Sequence, residues 1–202
     1  MERMAATAES CRVSQAGVDS ALHLVALPST IYNATVDVSD VDRGVYQSVA
    51  LRLAMHPSET LEYMATRLLA YCLEYTPGIE MTAGLSDGDE PAIVVRDLTG
   101  RITAWIEIGL PDADRLHRAS KLAKRVAVYT HRDPGILMGQ LEGQRIHRAE
   151  DVAIYSFAGT FIKDFAACIE RRIEISLSVT EQHLYLDING HSLSTTIERH
   201  LL

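Results

Sequence analysis

The chain has 202 residues, a formal net charge of −8 and 47% hydrophobic residues. That length suits one domain whose core needs no metal or disulfide staples, and the acidic balance argues against tight, sequence-independent nucleic-acid binding while leaving room for a local basic patch. Cys11, Cys72 and Cys168 lie far apart, the eight histidines include no HxH or HExxH, and no apolar run approaches the roughly 18 residues of a membrane helix. A zinc or disulfide scaffold and a membrane partner are therefore not expected, and the cysteine usage predicts a reduced, cytoplasmic protein.

Residues 1–25 show no structural period and are predicted to be a mobile N-terminal extension, with residues 26–202 forming a single domain. Thr30 to Val38 and Val45 to Met55 are β-rich and flank the turn-like Ser39–Gly44 cluster, which predicts an antiparallel hairpin. The strongest helical period follows: Leu61, Met64, Ala65, Leu68, Leu69, Cys72 and Leu73 fall on one face, with Ser58 as the expected N-cap. Pro77-Gly78 ends that helix.

A short strand is then expected over Ile79–Leu85, an acidic turn over Ser86–Pro91, and a second hairpin made of Ala92–Arg96 and Ile102–Gly109. Asp112–Arg125 reads as a helix and Val126–Thr130 as a strand. Weaker signals place a helix at Pro134–Glu142, a strand at Asp151–Phe157, an amphipathic stretch at Gly159–Glu170 and a hairpin from Arg172–Val179 and His183–Ile188. The fold class is thus α/β, with an α-β-β-β-α-β core, an extra N-terminal β-hairpin and C-terminal strands. The PD-(D/E)xK nuclease superfamily shares that core order, although a fold does not fix a function.

The second hairpin can be put in register from its turn. If Thr99-Gly100 is a two-residue loop, facing positions sum to 199: Ala92 faces Glu107 and Asp97 faces Ile102. Glu90 then lies diagonally from Glu107 on the same face, Asp89 can join them if Pro91 bends the strand entry, and Asp97 is roughly 17 Å away. Glutamate is depleted in strands, which makes Glu107 the informative acid, whereas Asp89-Glu90 can equally be read as a solvated turn. Two or three such carboxylates suit Mg²⁺ or Mn²⁺, which could activate water and stabilise phosphoryl charge. Arg118, Lys121 and Arg125 form a basic stripe on the expected helix that could contact phosphate, or be an ordinary solvated face.

The phrases Ala26-Leu27-Pro28-Ser29-Thr30-Ile31-Tyr32, His56-Pro57-Ser58-Glu59-Thr60, Arg67-Leu68-Leu69-Ala70, Asp89-Glu90-Pro91 and Trp105-Ile106-Glu107-Ile108-Gly109-Leu110-Pro111-Asp112 together resemble the YaeQ family, over about residues 26–200. The resemblance implies a small bacterial protein with a variant PD-(D/E)xK nuclease fold. It carries the family's site onto Glu59, Asp89, Glu90 and Glu107. Two departures stand out. The proline-acid pair reads Pro91-Ala92, and the lysine expected two residues after Glu107 is Gly109. The substitute cation would come from the following helix: Arg118, where the family tends to place lysine, or Lys121.

Two functions are compatible with this pattern. One is a Mg²⁺-dependent phosphodiester hydrolase with metal on Asp89, Glu90 and Glu107, Glu59 as an accessory acid, and Lys121 or Arg118 on phosphate. The other is a non-catalytic nuclease-fold module that binds nucleic acid or protein, in a setting such as transcription.

Overall fold

The computed structural model describes residues 29–82 and 90–202. The expected extension over residues 1–25, most of the acidic turn and the last residues of the strand expected over Ile79–Leu85 lie outside the described residues.

β1 (Thr30–Asp40) and β2 (Val45–Met55) form the expected hairpin, paired from Thr30↔Met55 to Asp40↔Val45. Then come α1 (Leu61–Leu73), β3 (Ile79–Met81), β4 (Ile93–Arg96), β5 (Ile102–Ile108), α2 (Ala113–Leu122) and β6 (Arg125–Thr130), in the α-β-β-β-α-β order read from the sequence. The chain continues through α3 (Pro134–Leu141), β7 (Val152–Ser156), α4 (Gly159–Ala167), β8 (Arg172–Thr180), β9 (His183–Ile188), β10 (His191–Thr196) and β11 (Glu198–His200). The helix expected to reach Arg125 stops at Leu122, and Arg125 opens β6. β10 and β11 were not anticipated individually: of the nine residues in them only Thr195 is buried, so hydrophobic alternation is nearly absent.

Among the described residues there are four α-helices and two sheets, a mixed α/β arrangement. The first sheet runs β10-β9-β8-β1-β2 and the second β11-β7-β6-β5-β4-β3. β1 pairs in parallel with β8, so the first sheet joins the two ends of the described chain. β5, β6 and β7 form the parallel centre of the second sheet.

One core is shared by the two sheets, α1 and α4; it includes Val36, Leu53, Leu68, Ile106, Phe165 and Leu186. A second lies on the other face of the six-stranded sheet, where Trp105, Val128 and Ile154 meet Leu116 of α2 and Leu137 of α3. The sequence period suggests that α1 buries one face. In the structure Met64 to Leu73 are buried without interruption, so the helix is enclosed on every side. Each fully buried leucine there stabilises the fold by about 1.5–3 kcal/mol. The enclosed polar residues Thr66 and Arg67 need internal partners: Thr66 bonds the Glu62 carbonyl at 2.7 Å and His131 Nδ1 at 2.9 Å, and Arg67 Nη2 donates to the Ala54 carbonyl at 3.1 Å while its Nε makes no hydrogen bond among the described residues.

The helix begins two residues later than expected. Glu59 N–H donates to the His56 carbonyl at 2.8 Å, closing a tight turn first. Thr60, not Ser58, is the N-cap and accepts from Tyr63 N–H at 3.2 Å.

Candidate functional site

The β4–β5 register follows the 199 sum over Ile93↔Ile106, Val94↔Trp105 and Val95↔Ala104. Near the turn it shifts, because Thr103 is an extra residue and Arg96 faces Ile102. The expected Asp97–Ile102 pairing is therefore corrected. Asp97 closes the turn instead: its Oδ1 accepts from Thr99 N–H at 2.8 Å and Arg101 N–H at 3.0 Å. It remains outside the acidic site, as its distance from Glu107 predicts.

Glu107 is 4% exposed near the end of β5. Its Oε1 accepts from Trp105 Nε1 at 2.5 Å and from Arg115 Nε at 2.6 Å. Burial pushes its carboxyl above the ordinary range, against the hydrogen bonds of Arg115 and Trp105. No described residue donates to Oε2. Trp105 thus combines packing with a polar role, because a buried indole N–H needs an acceptor.

Arg115 is the residue that sequence reasoning missed. It stands at the third position of α2, where its N–H donates to the capping Asp112 carboxylate at 2.7 Å. A helical Cα–Cβ bond tilts toward the helix N-terminus, so this position aims back at the strand end. The signal was therefore present: an arginine three residues after an aspartate cap that closely follows the strand. Arg115 Nη2 also donates to the Glu90 carbonyl at 2.5 Å. Glu90 thus reaches the cluster through its backbone, while its carboxylate, 44% exposed, lies 3.8 Å from Arg96 Nη2. Asp89 lies outside the described residues. Among the described residues no three His, Cys, Asp or Glu side chains gather as metal ligands.

Glu59, before the first turn of α1, is buried with Arg67. Arg67 Nη2 is 3.1 Å from Oε1 and 3.4 Å from Oε2, and its hydrogen bond goes to Oε2. Oε2 also accepts from His56 N–H at 2.7 Å. Tyr63 links the two ion pairs electrostatically: its hydroxyl is pushed up to about 12, mainly by burial, and it feels Arg67, Glu59, Glu107 and Arg115.

Gly109 explains the missing lysine. Its φ is +91°, and its N–H donates to the Tyr129 carbonyl at 2.8 Å. That conformation disfavours any residue with a side chain. Ala92, the other departure, is 2% exposed just before β4, so a methyl group is buried there in place of an acid.

The expected basic stripe divides. Arg118 is exposed on α2, one turn beyond Arg115. Lys121 is six residues beyond Arg115, roughly 9 Å along the helix. It lines a hollow of about 880 Å³ with Arg101, Lys124, Arg125, His147 and Arg148. The two carboxylates there are already engaged: Asp97 closes its turn, and Asp151 is 4.0 Å from Arg148. Arg148 Nη2 donates to the Ser120 and Ala123 carbonyls at 2.6 and 2.9 Å, so a cation covers the C-terminal end of α2. Five cations therefore outnumber two carboxylates in the hollow, although Arg125 is paired with Glu74 and Arg148 faces Asp151.

The YaeQ protein family matches residues 25–197. The chain belongs to that family. YaeQ of Escherichia coli strain K12 and of Salmonella typhi, each described as an uncharacterized protein, are 44% identical over 107 residues, 53% of this chain. The matched stretch spans 59% of the length of those curated relatives. Two crystal structures are similar over most of the chain. YaeQ from Pseudomonas syringae has a TM-score of 0.77 at 31% identity, covering 85% of this chain and 95% of its own. YaeQ from Xanthomonas axonopodis pv. citri has a TM-score of 0.75 at 27% identity, covering 86% and 98%. No helix of the described residues is long and apolar enough to cross a membrane.

Proposed function

We propose that the chain is a cytoplasmic, nuclease-like protein that binds the phosphodiester backbone of nucleic acid through the basic hollow at the end of α2. The hollow carries the proposal: Arg101, Lys121 and Lys124 line it beside the paired Arg125 and Arg148, against two carboxylates, on a chain of net charge −8. Overall repulsion keeps a polyanion away from the rest of the surface, whereas local cations gain by displacing its counterions. The αβββαβ order supports the nuclease-like reading.

The test is fluorescence anisotropy of a labelled single-stranded oligonucleotide over a salt series. Affinity should fall steeply with salt, and a Lys121→Ala/Lys124→Ala variant should bind more weakly with a slope shallower by roughly 1.4, about 0.7 per phosphate. Binding insensitive to salt, or unaltered in the variant, overturns it.

A second reading adds Mg²⁺- or Mn²⁺-dependent hydrolysis at Glu107. The open Oε2 favours it, because one carboxylate oxygen remains for a cation while Arg115 holds the other. Asp89 and Glu90 would complete the ligand set, Glu59 would act behind them, and Arg118 would contact phosphate. It requires Mn²⁺ binding and cleavage of DNA or RNA that are both lost in Glu107→Gln; cleavage that survives that substitution refutes it.

A further inference from the structure

A second built region lies between the sheets, at the C-terminal end of α1, and rests on different observations from the proposal above. An open cleft of about 630 Å³ is bordered there by the β1–β2 and β8–β9 turns on one side and by β4–β7 and β11 on the other. That volume fits a small organic molecule. Leu73, Val95, Ala104, Val179 and Ile197 supply apolar wall. Tyr155 lines it too and stacks on Tyr129 at 4.9 Å between ring centroids, offering an aromatic face.

The polar groups of the lining nearly all have partners within the protein. Glu74 accepts from Arg125 Nε and Nη2 at 2.8 and 2.5 Å and from the buried Tyr129 hydroxyl at 2.8 Å. Asp40 accepts from Arg43 N–H at 3.0 Å and faces its guanidinium at 3.8 Å. Asp42 accepts from the N–H groups of Glu181 and Gln182 at 2.8 and 2.9 Å. Arg43 donates to the carbonyls of Leu73 and Tyr75. Arg199, exposed on β11 and paired through its backbone with Tyr155, is different: its guanidinium makes no hydrogen bond or ion pair among the described residues. A ligand that completes this set supplies an acceptor group for Arg199 and a flat apolar body for the wall.

We infer that this cleft is a binding site for a small organic anion, an aromatic or branched apolar body carrying one carboxylate or phosphate, with Arg199 holding the acid and Tyr155 facing the body. Guanidinium suits both acids because it can bond them through two parallel N–H groups.

The probes are phenyl phosphate and benzoate, with benzamidine and benzyl alcohol as the cationic and neutral counterparts, titrated into the full chain and followed by NMR shifts of the tyrosine rings. The two anions should saturate, and benzamidine and benzyl alcohol should bind far more weakly. Arg199→Gln, an exposed edge-strand substitution that leaves the Glu74 network intact, should weaken the anions roughly tenfold, the loss of one charge-assisted hydrogen bond. Lys121→Ala/Lys124→Ala should leave them unchanged, which separates this site from the nucleic-acid patch. Absence of saturable binding, benzamidine binding as well as benzoate, or full affinity in Arg199→Gln overturns the inference.

Discussion

Two faces of the six-stranded sheet use the same chemistry for different results. On the α2 face, Glu107 is held by an arginine and an aromatic donor, Arg115 and Trp105. On the α1 face, Glu74 is held by another such pair, Arg125 and Tyr129. The difference lies in the oxygens. Both bonds to Glu107 fall on Oε1, whereas Arg125 grips Glu74 through both oxygens. The first arrangement leaves a carboxylate oxygen for another partner; the second ties its acid into the wall of a cleft. The comparison teaches that a buried Glu–Arg pair is read by which atoms remain unused, not by the residue types alone.

The largest expected effect comes from a third buried pair, Glu59 with Arg67, and is on stability. Glu59→Ala removes the partner of Arg67, which is itself 3% exposed and enclosed by the core. It should cost about 3–5 kcal/mol in urea unfolding, because a buried guanidinium is left unpaired. A loss below about 1 kcal/mol would mean that water reaches Arg67.

Glu74→Ala should cost less, about 2–3 kcal/mol, since Arg125 is 46% exposed and can resolvate while the Tyr129 hydroxyl cannot. Equal losses from both substitutions would show that Arg125 is as unable to resolvate as Arg67. Smaller still, Gly109→Lys restores the residue type of the general motif but forces a side chain onto a φ of +91°. It should lower stability by about 1–2 kcal/mol. Gain of metal-dependent cleavage in that variant would show instead that the lysine alone was wanting.

The smallest effect is on pH dependence. Burial raises the Glu107 carboxyl above its ordinary value of 4.5, so the folded chain holds this proton more tightly than the unfolded one. The resulting stability is fully present below 4.5 and is lost as pH rises through the raised folded value. Glu107→Gln should flatten that part of the stability–pH curve, measured by thermal unfolding at closely spaced pH values. An unaltered slope would show that Arg115 keeps the carboxylate charged throughout.

How much of this could be read from the sequence varies with the range of the interaction. Glu107 stands out in the sequence as a glutamate within a strand, and the 199 sum of the hairpin register holds except where Thr103 bulges. Arg115 carried a local signal in its position after Asp112, but charge spacing pointed further along the helix to Arg118 and Lys121. Glu74 left only a trace: an acid at the C-cap of α1 opposes the helix dipole and so calls for a nearby cation. Nothing local names Arg125, 51 residues away, as that cation.

By itself the sequence determined the element order as far as β9, the three hairpins and the family, because these rest on periodicity, turn chemistry and contiguous phrases within a few residues of each other. Only the tertiary structure decided the parallel pairing of β1 with β8, the enclosure of α1 on all sides, the division of the basic stripe and the cleft at Glu74. Each depends on which distant segments meet. That choice is set by packing over the whole core, which a one-dimensional pattern of apolar and polar residues does not encode.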